Sequence, residues 1–226
     1  MKAEVPQLNI DFERVVVVNT EELPWLPMTG EGVTQRLLEK IGTDICRTTT
    51  IIRCLAGSPI PAHALDQGEE IIVLEGEYTD ELGVYPAGSY IKNPTGTQHT
   101  STTGSGCVLF VKQGHLQQED TERVVVDVAN SDWRQGLVAG LSVMPLSEFK
   151  GEHNALVRWQ PGTVFTAHRH WGGEEIYVLE GVFEDEFGRY PKGTWVRNPH
   201  LSQHAPFSRE GCTIFVKVGH LPEKEK

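Results

Sequence analysis

The stretch Gly162-Thr-Val-Phe-Thr-Ala-His168-Arg-His170-Trp-Gly-Gly-Glu174-Glu-Ile-Tyr-Val-Leu-Glu-Gly181 decides how the rest of the chain is read. His168 and His170 are two residues apart, so on a strand both rings leave the same face and reach one ion. Trp171-Gly172-Gly173 is turn chemistry, which brings the next strand, opening on Glu174, back beside the first. His204 follows Asn198-Pro199, and a strand returning there crosses the same pocket. Three neutral imidazoles and one carboxylate suit a borderline divalent transition metal. Zinc, iron(II), manganese and nickel all meet that description.

A His-x-His pair alone is common on solvated strands, so its weight comes from its surroundings. The chain repeats itself at an offset of 105, which matches His63 to His168, Glu69 to Glu174, Gly76 to Gly181 and His99 to His204. The same offset relates Arg53 to Arg158 and Cys107 to Cys212, without a gap from Gly57–His115 against Gly162–His220. Solenoid repeats recur every ~20–50 residues, so this is a duplicated domain. Upstream, Trp25 matches Trp133 at an offset of 108. The polar run Gln117-Gln118-Glu119-Asp120 sets the expected domains at 1–118 and 119–226. Val15–Val18 is expected to open the first copy, and Val124–Val128 the second.

Short apolar or alternating runs separated by Gly, Pro and Asp predict strands at Thr48–Leu55, Glu70–Leu74, Ser89–Ile91 and Cys107–Lys112. Their counterparts are Ala155–Trp159, Ile176–Leu179, Thr194–Arg197 and Cys212–Val218. Thr34–Lys40 has a helical look, but its counterpart after Leu141 contains Pro145, which argues for strand. The density of short strands predicts an all-β protein of two tandem jelly-roll barrels.

The 226 residues suffice for two cores. A net charge of −11 and a pI near 5.3 argue against nucleic acid, whose recognition needs clustered Lys and Arg. No run of about eighteen apolar residues predicts a membrane span, and no secretion signal is visible. A cytoplasmic protein is expected. Cys46, Cys54, Cys107 and Cys212 show no Cys-x-x-Cys spacing and read as buried thiols.

Gly162, His168, His170, Glu174 and Gly181 meet every fixed position of the first signature of the cupin superfamily. Gly193, Pro199 and His204 meet the second, with Leu201 and Ser208 where many cupins have Gly and Asn. More narrowly, Gly173-Glu174-Glu175, Asp185-Glu186, Arg197-Asn198-Pro199 and Phe215-Val216-Lys217 resemble the ChrR-like cupin family. The first copy repeats much of this, so the resemblance covers almost the whole chain. It implies two cupin barrels and metal ligands at His168, His170, Glu174 and His204, and relatives often dimerise. That family is best known as the zinc-binding half of an anti-sigma factor, and relatives include dioxygenases. The resemblance therefore implies a regulatory, stress-sensing bicupin, with a sigma factor as partner. The family's His and Cys-x-x-Cys zinc motif ahead of the cupin has no match here, which counts against sigma-factor binding. The alternative is a non-haem metal-dependent dioxygenase or isomerase acting on a small oxygenated molecule.

The first copy departs at Leu65, which replaces the second histidine and leaves His63, Glu69 and His99. Either that pocket has lost its metal, or two histidines and a carboxylate form an iron-type facial triad. The first outcome is the expectation. Arg158 and Tyr177 are the candidate groups for substrate or proton chemistry beside the second site, although Arg158, like Arg53 at the matched position, is expected rather to pair with a matched acid such as Glu180 or Glu75. Glu70 and Glu175, on the opposite strand face, are read as structural. His200 is read as a surface residue, and His115 and His220 as lying beyond reach of the site.

Overall fold

Alternating apolar and polar residues become antiparallel strands almost throughout the computed structural model, which describes residues 7–42, 46–60 and 68–223. Among the described residues there are short 3-10 turns and no α-helix. Thr34–Lys40 lies within the strand Val33–Ile41, and its counterpart is Leu141–Phe149. Pro145 fits there because the pairing shifts register between Pro145 and Ser147, at a bulge where a missing N–H is tolerated. No described helix is long and apolar enough to cross a membrane.

The chain forms two compact units of the same construction. In the second, the sheet runs Val16–Asn19, Thr194–Asn198, Glu174–Asp185, Cys212–Val218, Glu152–Trp159, Leu141–Phe149, Arg134–Gln135. The Glu174–Asp185 strand serves both layers of the barrel. Its first half pairs with Thr194–Asn198, and its far half pairs with Gly188–Pro191. Between them the register slips after Val178, and Gly181 has φ +69°. A Cβ at Gly181 would lie 2.0 Å from the Gly211 carbonyl oxygen, so this bend needs glycine. Ile176, Val178, Phe183, Trp159 and Ile214 fill the space so enclosed. The first unit repeats the order with Val124–Asp127, Ser89–Asn93, Glu69–Asp80, Cys107–Gln113, Arg47–Cys54, Val33–Ile41 and Leu26–Pro27.

One sequence expectation is corrected here. Val16–Asn19 pairs with Thr194–Asn198, and Val124–Asp127 pairs with Ser89–Asn93. Each segment thus edges the sheet of the other repeat, and residues 11–22 belong to the second unit while the first runs on to Asn130. The reason lies in two matched buried cations. In the first unit the Lys92 ammonium donates to both Asp120 carboxylate oxygens, at 2.6 and 2.7 Å. In the second unit the matching Arg197 stacks its guanidinium 4.7 Å from the centre of the Phe12 ring and donates to the Asp11 carbonyl. Phe12 and Asp120 correspond at the 108 offset. Exchanging the two segments would leave the buried Lys92 ammonium facing a ring instead of a carboxylate, which is costly.

Cys54, Cys107 and Cys212 are buried and Cys46 half-buried, all as free thiols. Burial pushes the Cys212 thiol up to about 11, which keeps it unreactive.

Candidate metal centre

In the second unit Thr166, Ala167 and the short strand His168–Arg169 lead into the turn at His170. The pairing His168–Arg169 with Gln203–His204 sets His168 directly opposite His204. The chain then reverses through Gly172 and Gly173, both at positive φ, with the Gly173 N–H donating to the His170 carbonyl. A Cβ at Gly172 would meet the backbone of Gly219 at 2.6 Å. Only glycines pass this point, and Glu174 emerges from it pointing at the histidines.

The four residues expected from sequence come together: one donor atom from each of His168, His170, Glu174 and His204 lies within 4.8 Å of the others. The Nε2 atoms of His170 and His204 are 3.1 Å apart, and each is 3.5 Å from Glu174 Oε2. Two atoms bound about 2.1 Å from one ion lie about 3.0 Å apart at a right angle and about 3.4 Å at the tetrahedral angle, so these spacings fit a shared metal. The rings are also set in the right tautomer. His168 Nδ1 faces the Thr166 carbonyl at 3.0 Å and His204 Nδ1 faces Asp185 Oδ2 at 3.2 Å, which leaves Nε2 free on both rings.

Burial lowers the His168 ring and holds His170 at about 3, helped by the neighbouring histidines, so both rings are neutral at neutral pH, as metal ligation would require. Burial alone would lower His204 too, but the Asp185 hydrogen bond and the Glu174 charge outweigh it and raise it. Burial raises Glu174 in spite of His204 and the Asn198 amide that donates to its Oε2 at 3.0 Å.

Asp185 belongs to the matching motif Asp185-Glu186, and nothing in the local sequence assigns it a task. It is nearly buried, yet its carboxyl stays below the usual range, because burial is opposed by His204, the Phe187 N–H and the Tyr190 hydroxyl. Its Oδ1 accepts from Phe187 N, Gly188 N and Tyr190 Oη at 2.9–3.0 Å, which leaves Oδ2 for His204. The signal was the pair Asp80 and Asp185, each five residues before a tyrosine in both copies.

An apolar cavity of about 170 Å³ adjoins the cluster, with His168 and Glu174 in its wall beside Val143, Val157, Trp159 and Phe165. Arg158 does not reach it. Val157 and Trp159 face the cavity, so Arg158 between them faces away, its guanidinium 4.1 Å from the centre of the Trp133 ring. Tyr177 likewise alternates away from Glu174, opposite Trp195. Glu175 accepts from Trp195 Nε1 at 3.2 Å and meets His220 Nε2 at 2.9 Å, and Glu70 accepts from the Tyr90 hydroxyl, consistent with structural roles for both carboxylates. His115 Nε2 meets the Thr48 carbonyl, and neither it nor His220 belongs to the four-residue cluster. His200 is half-buried rather than a surface residue: its Nδ1 accepts from Gly172 N at 2.9 Å and so braces the turn.

In the first unit, His63 and Leu65 lie outside the described residues. Glu69 meets His99 Nε2 at 3.2 Å and accepts from Asn93 Nδ2 at 2.9 Å. Asp80 holds the same turn as Asp185, through Leu82 N, Gly83 N and Tyr85 Oη. Its other oxygen, however, accepts from Arg123 Nη2 at 3.0 Å, and Arg123 Nε donates to Asn93 Oδ1. A guanidinium thus takes the acceptor that in the second unit orients His204.

Fold and donor set together define a two-barrel cupin with a three-histidine, one-carboxylate cluster in its second barrel. The chain belongs to the ChrR cupin-like family, whose model matches residues 13–117 and 121–222. No curated protein matches the chain. Among solved structures it is similar to a provisionally named dioxygenase from Nostoc punctiforme, with 16% identity, TM-score 0.77, and 94% of this chain and 85% of that one covered. A provisionally named glyoxylate-induced protein from Pseudomonas aeruginosa gives 14% identity and TM-score 0.75, with 100% and 96% covered. Oxalate decarboxylase from Lactobacillus farciminis gives 12% and 0.66, with 92% and 87% covered. At these identities the likeness carries the fold alone.

Proposed function

We propose that the second barrel binds a divalent transition metal through His168, His170, Glu174 and His204, and that the protein is a metal-dependent enzyme of the oxygenase type. The observation that carries this is the shared wall: His168 and Glu174 belong both to the ligand cluster and to the cavity. A structural zinc site is closed by protein on all sides, whereas a catalytic one faces space for a small molecule. When bound, such a metal supplies Lewis-acid or dioxygen chemistry. The chain's own part is to hold the ligands and to exclude water. Asp185 keeps the proton on His204 Nδ1, Thr166 does the same for His168, and the apolar walls offer water few partners beside the ligands. The regulatory reading rests on the family resemblance, and no feature of the site favours it.

The test is to load the protein anaerobically with iron(II) and then admit oxygen together with β-diketones or catechol-like compounds. Metal-dependent oxygen uptake above the free-iron rate, lost in Glu174→Ala, is the expected result. Tightly held zinc with no exchangeable coordination position would overturn it.

A further inference from the structure

The cavity walls bear on what the site accepts. Resting on the metal-site reading above, we propose that the second barrel takes an uncharged ligand with an apolar body about the size of one benzene ring. A single oxygen function of that ligand would turn towards His168 and Glu174, and carboxylates of similar size would be discriminated against.

Ten of the twelve lining residues are apolar, and His168 and Glu174 are the two exceptions. An apolar cavity of about 150 Å³ is enough to admit benzene, so about 170 Å³ accommodates a six-membered ring. Burying a carboxylate requires a partner for its charge. No lysine or arginine is among the lining residues, four arginines of this barrel are engaged elsewhere, and Arg134, across from Val143, is exposed and outside the lining. Arg158 stacks on Trp133, Arg169 donates to Gln203, and Arg189 and Arg209 both pair with Glu184. Glu174 already places a carboxylate in the cluster and Asp185 sits behind His204, so an incoming carboxylate would face two acidic residues and no lysine or arginine in the lining. A neutral oxygen function loses less on leaving water, and the ring gains from the apolar wall.

The test uses the full chain reconstituted with cobalt(II), titrated with cyclohexanone and benzyl alcohol against benzoate and succinate. Calorimetry reads binding, and the cobalt visible spectrum reads approach to the metal. The expected result is at least tenfold tighter binding of the neutral probes. Equal or tighter carboxylate binding, or no binding of either neutral probe, would overturn the proposal. Leu137→Arg places a cation at the cavity mouth, on a side chain 90% exposed, and is expected to narrow the preference at least threefold in favour of benzoate. An unchanged ratio would sink the argument from missing cations. Elemental analysis of the native protein and the same titrations on metal-free protein separate the two readings: absence of metal from native protein defeats the proposed function, whereas carboxylate preference in the bare cavity defeats this inference alone.

Discussion

Asp185→Asn isolates the contribution of one hydrogen bond to the metal site. Asparagine is close to isosteric, so its oxygen still accepts from Phe187 N, Gly188 N and the Tyr190 hydroxyl, and the turn is kept. At the position of Oδ2, though, an amide NH₂ now faces His204 Nδ1, and two donors cannot share that 3.2 Å contact. The ring relieves this by moving its proton to Nε2, the atom that faces His170 and Glu174 and has to bind the metal. Loss of such an orienting partner lowers metal affinity by about 10–100-fold, or about 1.4–2.7 kcal/mol. Weakening the charge-assisted bonds costs the metal-free fold about 1 kcal/mol. Affinity is measured by competition with a chromophoric chelator, and stability by urea denaturation of the metal-free protein. Asp80→Asn is the control, since it has the same turn but its Oδ2 accepts from Arg123. Affinity within about twofold of wild type in Asp185→Asn, or an equal loss in Asp80→Asn, would refute the reasoning.

Elemental analysis of His168→Ala and of His204→Ala is expected to find most of the metal gone, and full metal in either would sink the ligand assignment. Gly173→Ala is expected to destabilise by about 2–4 kcal/mol, because a residue at φ +68° is strained and its Cβ would meet the Asn198 carbonyl at 2.8 Å. Gly162→Ala, at φ +81° with nothing within 4 Å, is expected to cost about 1 kcal/mol, and equal losses in denaturation would remove the steric part of the argument. His170 titrates at about 3 in the fold against 6.5 unfolded, so its contribution to metal-free stability is full above pH 6.5 and is lost as pH falls towards 3. His170→Gln is therefore expected to flatten the stability profile across that window, and an unchanged slope would count against it. Asp120→Ala leaves the Lys92 ammonium buried without its carboxylate and is expected to cost about 3–5 kcal/mol in urea denaturation.

Much of the site was legible because its chemistry is periodic. His-x-His places two rings on one strand face, two glycines mark the reversal, and the 105-residue repeat separates the constrained positions from the rest. The all-β class followed from the same alternation. What failed was long-range. Arg158 looked available because the sequence does not show how its strand faces the site across the barrel, whereas Tyr177, an odd number of residues along the strand from Glu174, was already turned away by alternation. Asp185 gained its task only when the hairpin Glu174–Asp185 with Gly188–Pro191 folded it beneath His204.

The sequence by itself determined the duplication, the strand content and the four residues that cluster, since each is written in local spacing. It did not determine which sheet each opening strand joins, because Val16–Asn19 and Val124–Asp127 carry the same valine-rich pattern and either fits a free sheet edge. Only the tertiary structure decided that, by bringing Lys92 to the Asp120 carboxylate and Arg197 to the Phe12 ring. A buried ammonium requires a carboxylate, whereas the planar guanidinium of Arg197 counts the Phe12 ring and the Asp11 carbonyl among its contacts.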